Sequence, residues 1–144
     1  MKTLRTALAS VLLLASAGAF AQTASGYLFL NRSSEALIDD ATASSLFAEI
    51  VSAKLIKLYP VNRWGFAAQV EGGLTQANTC VVAARVMLLP RNQPVATKLL
   101  LFKPGKMATA FDALPNASSA QCKDLAKKKL REANQAMAAA LVPG

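Results

Sequence analysis

The sequence predicts an α+β fold, a two-layer sandwich in which two helices cover one face of an antiparallel sheet of four or five strands. Apolar residues alternate with period two in the middle of the chain, and they recur every three or four residues on either side of it. Period two is typical of half-buried strands, whereas a spacing near four is typical of amphipathic helices. The predicted order is β-α-β-β-β(-β)-α.

Residues 1–21 have the pattern of a cleavable export signal. A basic start and an apolar run over 7–15 precede Ala19 and Ala21, which form a small-residue cleavage pattern. The run is about half as long as the roughly 20 residues of a membrane-spanning helix, although an uncleaved anchor is the alternative. We expect a periplasmic protein of a bacterium, or a secreted one, with residues 22–144 forming a single domain.

The first part of the expected domain predicts one strand and one helix. The strand covers the apolar run 27–30, and the helix extends from near Asp39 to Lys57. Tyr59 and Pro60 end the helix, because the residue before a proline avoids helical backbone angles. The apolar residues on one side of this helix are Phe47, Ile50, Val51, Leu55 and Leu58.

Alternating residues in the middle of the chain predict the rest of the sheet. Gly72 and Gly73 are expected to end the first of these strands. Pro104 and Gly105 have the positions that they favour in a type II turn between the last two strands. The predicted strands are 64–71, 79–89, 95–103 and 107–111.

One of these strands predicts a second apolar face. If Cys80 faces the helices, then Val81, Met87 and Leu89 point to the opposite side of the sheet. An exposed apolar face of that size is typical of an interface. A homodimer, a protein partner, a lipid-like ligand and coverage by the N-terminal segment of the same chain are the alternatives.

The clearest helix signal lies near the C-terminus. Ser118 and Gln121 have the spacing of a capping box, in which each side chain accepts a hydrogen bond from the other residue's backbone N–H. The helix ends at Val142 and Pro143. Its apolar stripe consists of Cys122, Ala126, Leu130, Ala133, Met137 and Leu141.

A basic flank of the same helix is a candidate contact surface. Lys123, Lys127 and Arg131 repeat at four-residue spacing, so they could contact a phosphate-bearing surface or an acidic partner. Asp124 and Glu132 add acids at helical spacing nearby, which is equally typical of a solvated helix. Both interpretations stay open.

Cys80 and Cys122 are the only cysteines, an even count in a compartment that permits disulfides. They do not form a C-x-x-C motif, so a dithiol oxidoreductase is not indicated. A bridge between them would close the long loop 80–122, and the chain-entropy model gives about 4 kcal/mol of stabilisation for such a loop. We expect this disulfide, with two free buried thiols as the alternative.

Histidine is absent from the chain, which removes the usual general base and the commonest transition-metal ligand. Asp39 and Asp40 are the only adjacent acids, and neighbouring side chains on a helix point about 100° apart. They do not converge as a catalytic pair would. We therefore expect no enzyme activity, cofactor or metal.

These observations predict a small, non-catalytic exported protein that binds another macromolecule. An inhibitor or immunity-type protein acting on an envelope or cell-wall enzyme is one concrete form. The alternative is a carrier or sensor of an apolar, lipid-like ligand held between helices and sheet. The net charge of +8 allows peripheral contact with an anionic membrane or wall, and we expect no nucleic-acid partner because the chain is exported.

Overall fold

Residues 26–91 and 103–143 are the parts of the chain that the structure, a computed structural model, describes. The export signal predicted for 1–21 and all of the predicted strand 95–103 except Lys103 lie outside them. The described elements are β1 (Phe29–Asn31), α1 (Asp40–Ala48), α2 (Ala53–Leu58), β2 (Trp64–Leu74), β3 (Cys80–Pro90), β4 (Lys106–Leu114) and α3 (Ser119–Leu141).

These elements confirm the α+β class, with helices packed on a sheet of four described strands in the order β1-β2-β3-β4. The pairs β2–β3 and β3–β4 are antiparallel, as the sequence predicts, but β1 pairs with β2 in parallel. The sheet is therefore mixed. The chain leaves β1 and crosses through α1 and α2 before it enters β2, and such a crossover joins parallel neighbours.

The helix predicted from Asp39 to Lys57 is two helices. Asp39 caps the first, since its carboxylate accepts a hydrogen bond from the backbone N–H of Thr42 at 2.7 Å. Ser52 caps the second by accepting from the N–H of Leu55 at 3.1 Å. A serine hydroxyl competes with the helical carbonyls for nearby N–H groups, so Ser52 begins a new helix instead of continuing the old one.

Two strands are longer than predicted. Gly72 and Gly73 do not end β2, which stays paired with β3 as far as Leu74. Gly72 has a φ of +119°, and a Cβ there would lie 1.9 Å from the carbonyl oxygen of Val81. Glycine is thus required by the close approach of two paired backbones. In the same way β4 continues past the predicted end at Phe111 to Leu114.

The predicted cap and disulfide of the last helix are confirmed. The hydroxyl of Ser118 accepts from the N–H of Gln121, whose side-chain oxygen accepts from the N–H of Ser118. Cys80 and Cys122 form a disulfide with a Cα–Cα distance of 5.4 Å, and both are buried. This bond joins the start of β3 to the first turn of α3.

The core lies between the sheet and the helices. Phe47 of α1 packs on three aromatic rings from β1, the residues before it and β2: Phe29, Tyr27 and Phe66, with ring centroids 4.5 to 5.5 Å apart. The predicted stripe of α3 is fully buried against β3 and β4. Asn134 lies among these residues, and its side-chain nitrogen and oxygen have no hydrogen-bond partner within the described ranges. Within the same ranges, no helix has the length and hydropathy to span a bilayer.

Candidate functional site

All three helices contribute buried residues to one core on one side of the sheet. The positions of β3 with exposed or half-buried side chains alternate with those of the core, so they point to the opposite side. We call this side the uncovered face, because no described helix contributes to it. Its most exposed large apolar residues are Leu30, Val81, Met107 and Phe111.

The strand register places these residues in two groups on the same face. Leu30, Ala67, Met87 and Met107 are consecutive partners across the four strands, so they form one row on this face. Phe111 is 78% exposed and its strand partner is Ala83, whose small side chain leaves the ring standing above its neighbours. Ala67 in this row is fully buried, and the polar row of Gln69, Arg85 and Thr109 separates the row from the ring. The exposed apolar groups are therefore the ends of the row on one side and the ring with Val81 on the other, and exposed apolar groups of this kind mark interfaces.

The residues predicted for this surface lie on it. Val81 is 45% exposed, and Met87 and Leu89 are half-buried on the same side of β3. The sequence did not identify Met107 and Phe111, which are the most exposed apolar residues of the face, at 56% and 78%. Their alternation with alanines, which are small enough to lie under a helix, was the signal that could have indicated them.

The uncovered face also carries an ion pair. Arg85 of β3 and Glu71 of β2 are 4.0 Å apart, and the amide of Gln69 donates to the same carboxylate at 2.5 Å. The ion pair is about half exposed and stabilises the sheet little by itself. It places charged side chains between the apolar groups of this face.

The predicted basic flank of α3 is partly engaged within the chain. Arg131 makes a two-pronged contact with Glu49, with nitrogen–oxygen distances of 2.9 and 3.0 Å. This contact lowers the pKa of Glu49 and raises the pKa of Arg131. Lys127 lies 3.6 Å from Asp124, and Lys123 is exposed. The arrangement favours the solvated-helix interpretation over a cluster held open for a partner.

A buried lysine joins α3 to β4. The ammonium of Lys129 lies 2.7 Å from the carboxylate of Glu132 and 3.3 Å from that of Asp112. Its pKa is raised, mainly by the hydrogen bond to Glu132. The N–H of Ala113, followed by Lys129, lowers the pKa of Asp112. A carboxylate whose pKa is lowered is a poor proton carrier near neutral pH, so this network is suited to holding the helix on the sheet.

Surface grooves give little chemistry. One, of about 430 Å³, lies between β4 and α3 and includes Asp112 and Lys128; another, of about 600 Å³, lies beside the start of α1 and includes Glu35 and Asp39. These four side chains are exposed. In the described parts of the chain, no three histidine, cysteine, aspartate or glutamate residues come together as metal ligands would.

Comparison with known protein families finds no match, and no curated protein matches the sequence. The uncovered face is therefore interpreted from its own geometry.

Proposed function

We propose that this chain is an exported, non-catalytic protein that binds another protein through the uncovered face. An inhibitor or immunity-type protein acting on an envelope or cell-wall enzyme is the form that we favour. Association of two copies through the same face is the alternative within this proposal. In either form the protein acts by occupying a surface, and the missing histidine agrees with that role.

The observation that carries the proposal is the exposure of Phe111 on the uncovered face, next to Val81 of the neighbouring strand. Burying one phenylalanine side chain contributes about 1.5–3 kcal/mol, so leaving it in water at 78% exposure forgoes most of that stabilisation. Aromatic residues surrounded by apolar neighbours are the usual anchors of protein interfaces. Arg85, which pairs with Glu71 and lies between Met87 and Ala83 on the same face, provides a polar group that a partner can also contact.

Export is supported by two independent features. The pattern of residues 1–21 is typical of a signal peptide, and the Cys80–Cys122 disulfide is of a kind that persists in oxidising compartments. We therefore propose a periplasmic location, with secretion as the alternative. Mass spectrometry of the protein from fractionated cells would test this, because export predicts a chain that begins at Gln22 outside the cytoplasm.

The interior favours surface binding over carriage of an apolar ligand. Phe47 fills the space between α1 and the sheet, with its ring centroid 4.5 Å from that of Phe29 and 4.9 Å from that of Phe66. A ligand between these layers would have to displace closely packed rings. Native mass spectrometry of the protein from its own host tests the alternative, since a carrier would retain an apolar adduct.

The proposed interface can be tested by photo-cross-linking in intact cells. A benzoylphenylalanine replaces Phe111 in one variant and Lys128, an exposed residue of α3, in a control. If the uncovered face binds a partner, irradiation produces an adduct from position 111 and none from position 128. An adduct at twice the mass of the processed chain, measured without irradiation, identifies a second copy, and any other mass identifies a different protein.

Two outcomes would contradict the proposal. Irradiation could give no adduct at position 111, or the same adducts at both positions, which would indicate collisions without a preferred face. Correct folding of each variant is checked by its resistance to urea, because neither position contributes to the core.

A further inference from the structure

A second surface lies at one end of the sheet, where β2 begins, β3 ends and β4 begins. The backbone holds these three segments together: Trp64 pairs with Pro90, and the N–H of Arg91 donates to the carbonyl of Arg63 at 2.9 Å. The N–H of Gly105 donates to the carbonyl of Leu88 at 2.8 Å. We call this region the basic end, after its five exposed cations: Lys57, Arg63, Arg91, Lys103 and Lys106.

The acids of the two neighbouring strands are far from this end. Glu71 lies seven residues along β2 from Trp64, and Asp112 lies six residues along β4 from Lys106. At about 3.4 Å per residue these separations are roughly 24 and 20 Å, which is beyond the Debye length at physiological salt. Glu49 is held by Arg131. The basic end therefore presents positive charge that these acids do not offset.

Exposed apolar side chains lie among these cations. Leu58, the last residue of α2, is 49% exposed, and Val61, in the turn that follows, is 37% exposed. Tyr59 after α2 and Trp64 at the start of β2 are half-buried, with ring centroids 6.0 Å apart in an edge-to-face contact. Cations, exposed aliphatic residues and amphipathic aromatics occur together on proteins that rest on a bilayer surface.

We propose that the basic end docks on an anionic phospholipid surface. Lipid phosphates neutralise the five cations, while Leu58 and Val61 enter the boundary between headgroups and acyl chains. The cations come from three separate segments and all are exposed, which fits a broad charged surface better than a pocket for one phosphate. This surface does not include Phe111, so the inference stands independently of the proposed protein partner.

The test measures co-sedimentation with vesicles of phosphatidylcholine, alone or mixed with phosphatidylglycerol. We expect binding only to the mixed vesicles and weaker binding at about 1 M salt, where the Debye length is near 3 Å. Trp64 is the only tryptophan of the chain, so a blue shift of its emission on binding places the contact at the basic end. All variants carry the same N-terminus as the parent chain, so residues before the described region affect each equally.

A matched pair of variants separates this surface from net charge. K103Q/K106Q removes two cations from the basic end, and K123Q/K128Q removes two exposed cations from α3. Each lysine near an anionic surface contributes about five-fold to affinity, so we expect roughly 30-fold weaker binding for the first variant. The second variant should change affinity by less than about three-fold, because its lysines lie outside the contact.

Three results would overturn the proposal. Equal binding to vesicles with and without phosphatidylglycerol would exclude recognition of anionic lipid. Equal losses in the two double variants would show that net charge alone attracts the protein. A shift of Trp64 emission by inorganic phosphate, with release from the vesicles, would indicate a site for free phosphate.

L58S/V61S should remove the binding that persists at high salt.

Discussion

The two faces of β3 contain nearly the same kinds of residue and have opposite environments. Val82, Ala84 and Val86 are fully buried beneath the helices, whereas Val81, one position away, is 45% exposed on the uncovered face. Both sets are mainly apolar, although the uncovered set also includes Arg85. Alternation alone therefore does not tell which face becomes the core and which stays available for a partner.

The difference lies in what each face contacts. Residues of the covered face are in the same core as Phe47, Leu130 and the disulfide, so their burial contributes to folding. Residues of the uncovered face, such as Phe111, stay exposed after folding and can be buried only when a partner binds. The same substitution should therefore lower the free energy of unfolding when it is made on the covered face and weaken partner binding when it is made on the uncovered face.

The largest effect is expected from a matched pair of phenylalanines. Phe66→Ala empties a site beside Phe47 and should lower the free energy of unfolding by about 3–5 kcal/mol. Phe111→Ala removes the same atoms from the uncovered face and should change it by about 0.5 kcal/mol or less. Urea denaturation of both variants measures the difference. Similar losses would mean that Phe111 is buried in the folded chain.

The disulfide should have the next largest effect. Replacing both cysteines in C80A/C122A is expected to lower the free energy of unfolding by about 3–4 kcal/mol, since the unfolded chain regains the freedom of the 80–122 loop. The measurement is the urea midpoint with and without reductant. Reductant should lower the urea midpoint of the parent chain and leave that of the variant unchanged. If the variant lost less than about 1 kcal/mol of free energy of unfolding, packing on the covered face would be enough to hold α3 without the disulfide.

Asn134→Leu should stabilise the covered face. The amide of Asn134 is fully buried, and neither its nitrogen nor its oxygen has a partner among the described residues. A leucine of similar volume removes that desolvation penalty, so we expect a gain of about 1–2 kcal/mol. Gln135→Leu, at the exposed neighbouring position, is the control and should give little gain. Destabilisation by Asn134→Leu would show that the amide has a partner.

The smallest effect concerns pH. Arg131 lowers the pKa of Glu49 below its ordinary value of 4.5 by hydrogen bonding. A lowered carboxylate pKa stabilises the fold above the unfolded value, and that contribution is lost as the pH falls through the folded value. The Glu49→Gln variant should therefore be less stable than the parent chain at pH 7. The difference between their free energies of unfolding should disappear in acid. Glu35→Gln is the control for removing an acid. If the difference in free energy of unfolding between Glu49→Gln and the parent chain did not depend on pH, the lowered pKa of Glu49 would not contribute to stability.

Much of the local structure could be predicted from the sequence. The capping box of Ser118 and Gln121, the helical stripe that includes Leu130 and the alternation around Val82 each depend on residues within a few positions of one another. Such signals are readable because caps and periods are local properties of the backbone. Ser52 was a readable signal of the same kind that the prediction of one long helix overlooked.

Other features could not be read from local pattern. The glycines at 72 and 73 looked like a strand end, but the carbonyl of Val81 approaches Gly72 from another strand. Nothing local in the sequence distinguishes Lys129 from the neighbouring lysines of α3, yet its ammonium lies between the carboxylates of Asp112 and Glu132. Both depend on segments that only folding brings together.

The sequence by itself determined the periods of the strands and helices, the caps and the pair of sulfurs available for a bond, because each is fixed by side chains close in the chain. Only the tertiary structure decided that β1 runs parallel to β2, that the three described helices pack on one face and that Arg63, Arg91 and Lys106 come together at one end of the sheet. The physical reason is that α1 and α2 carry the chain across one side of the sheet, and that crossing selects the covered face for all four strands at once.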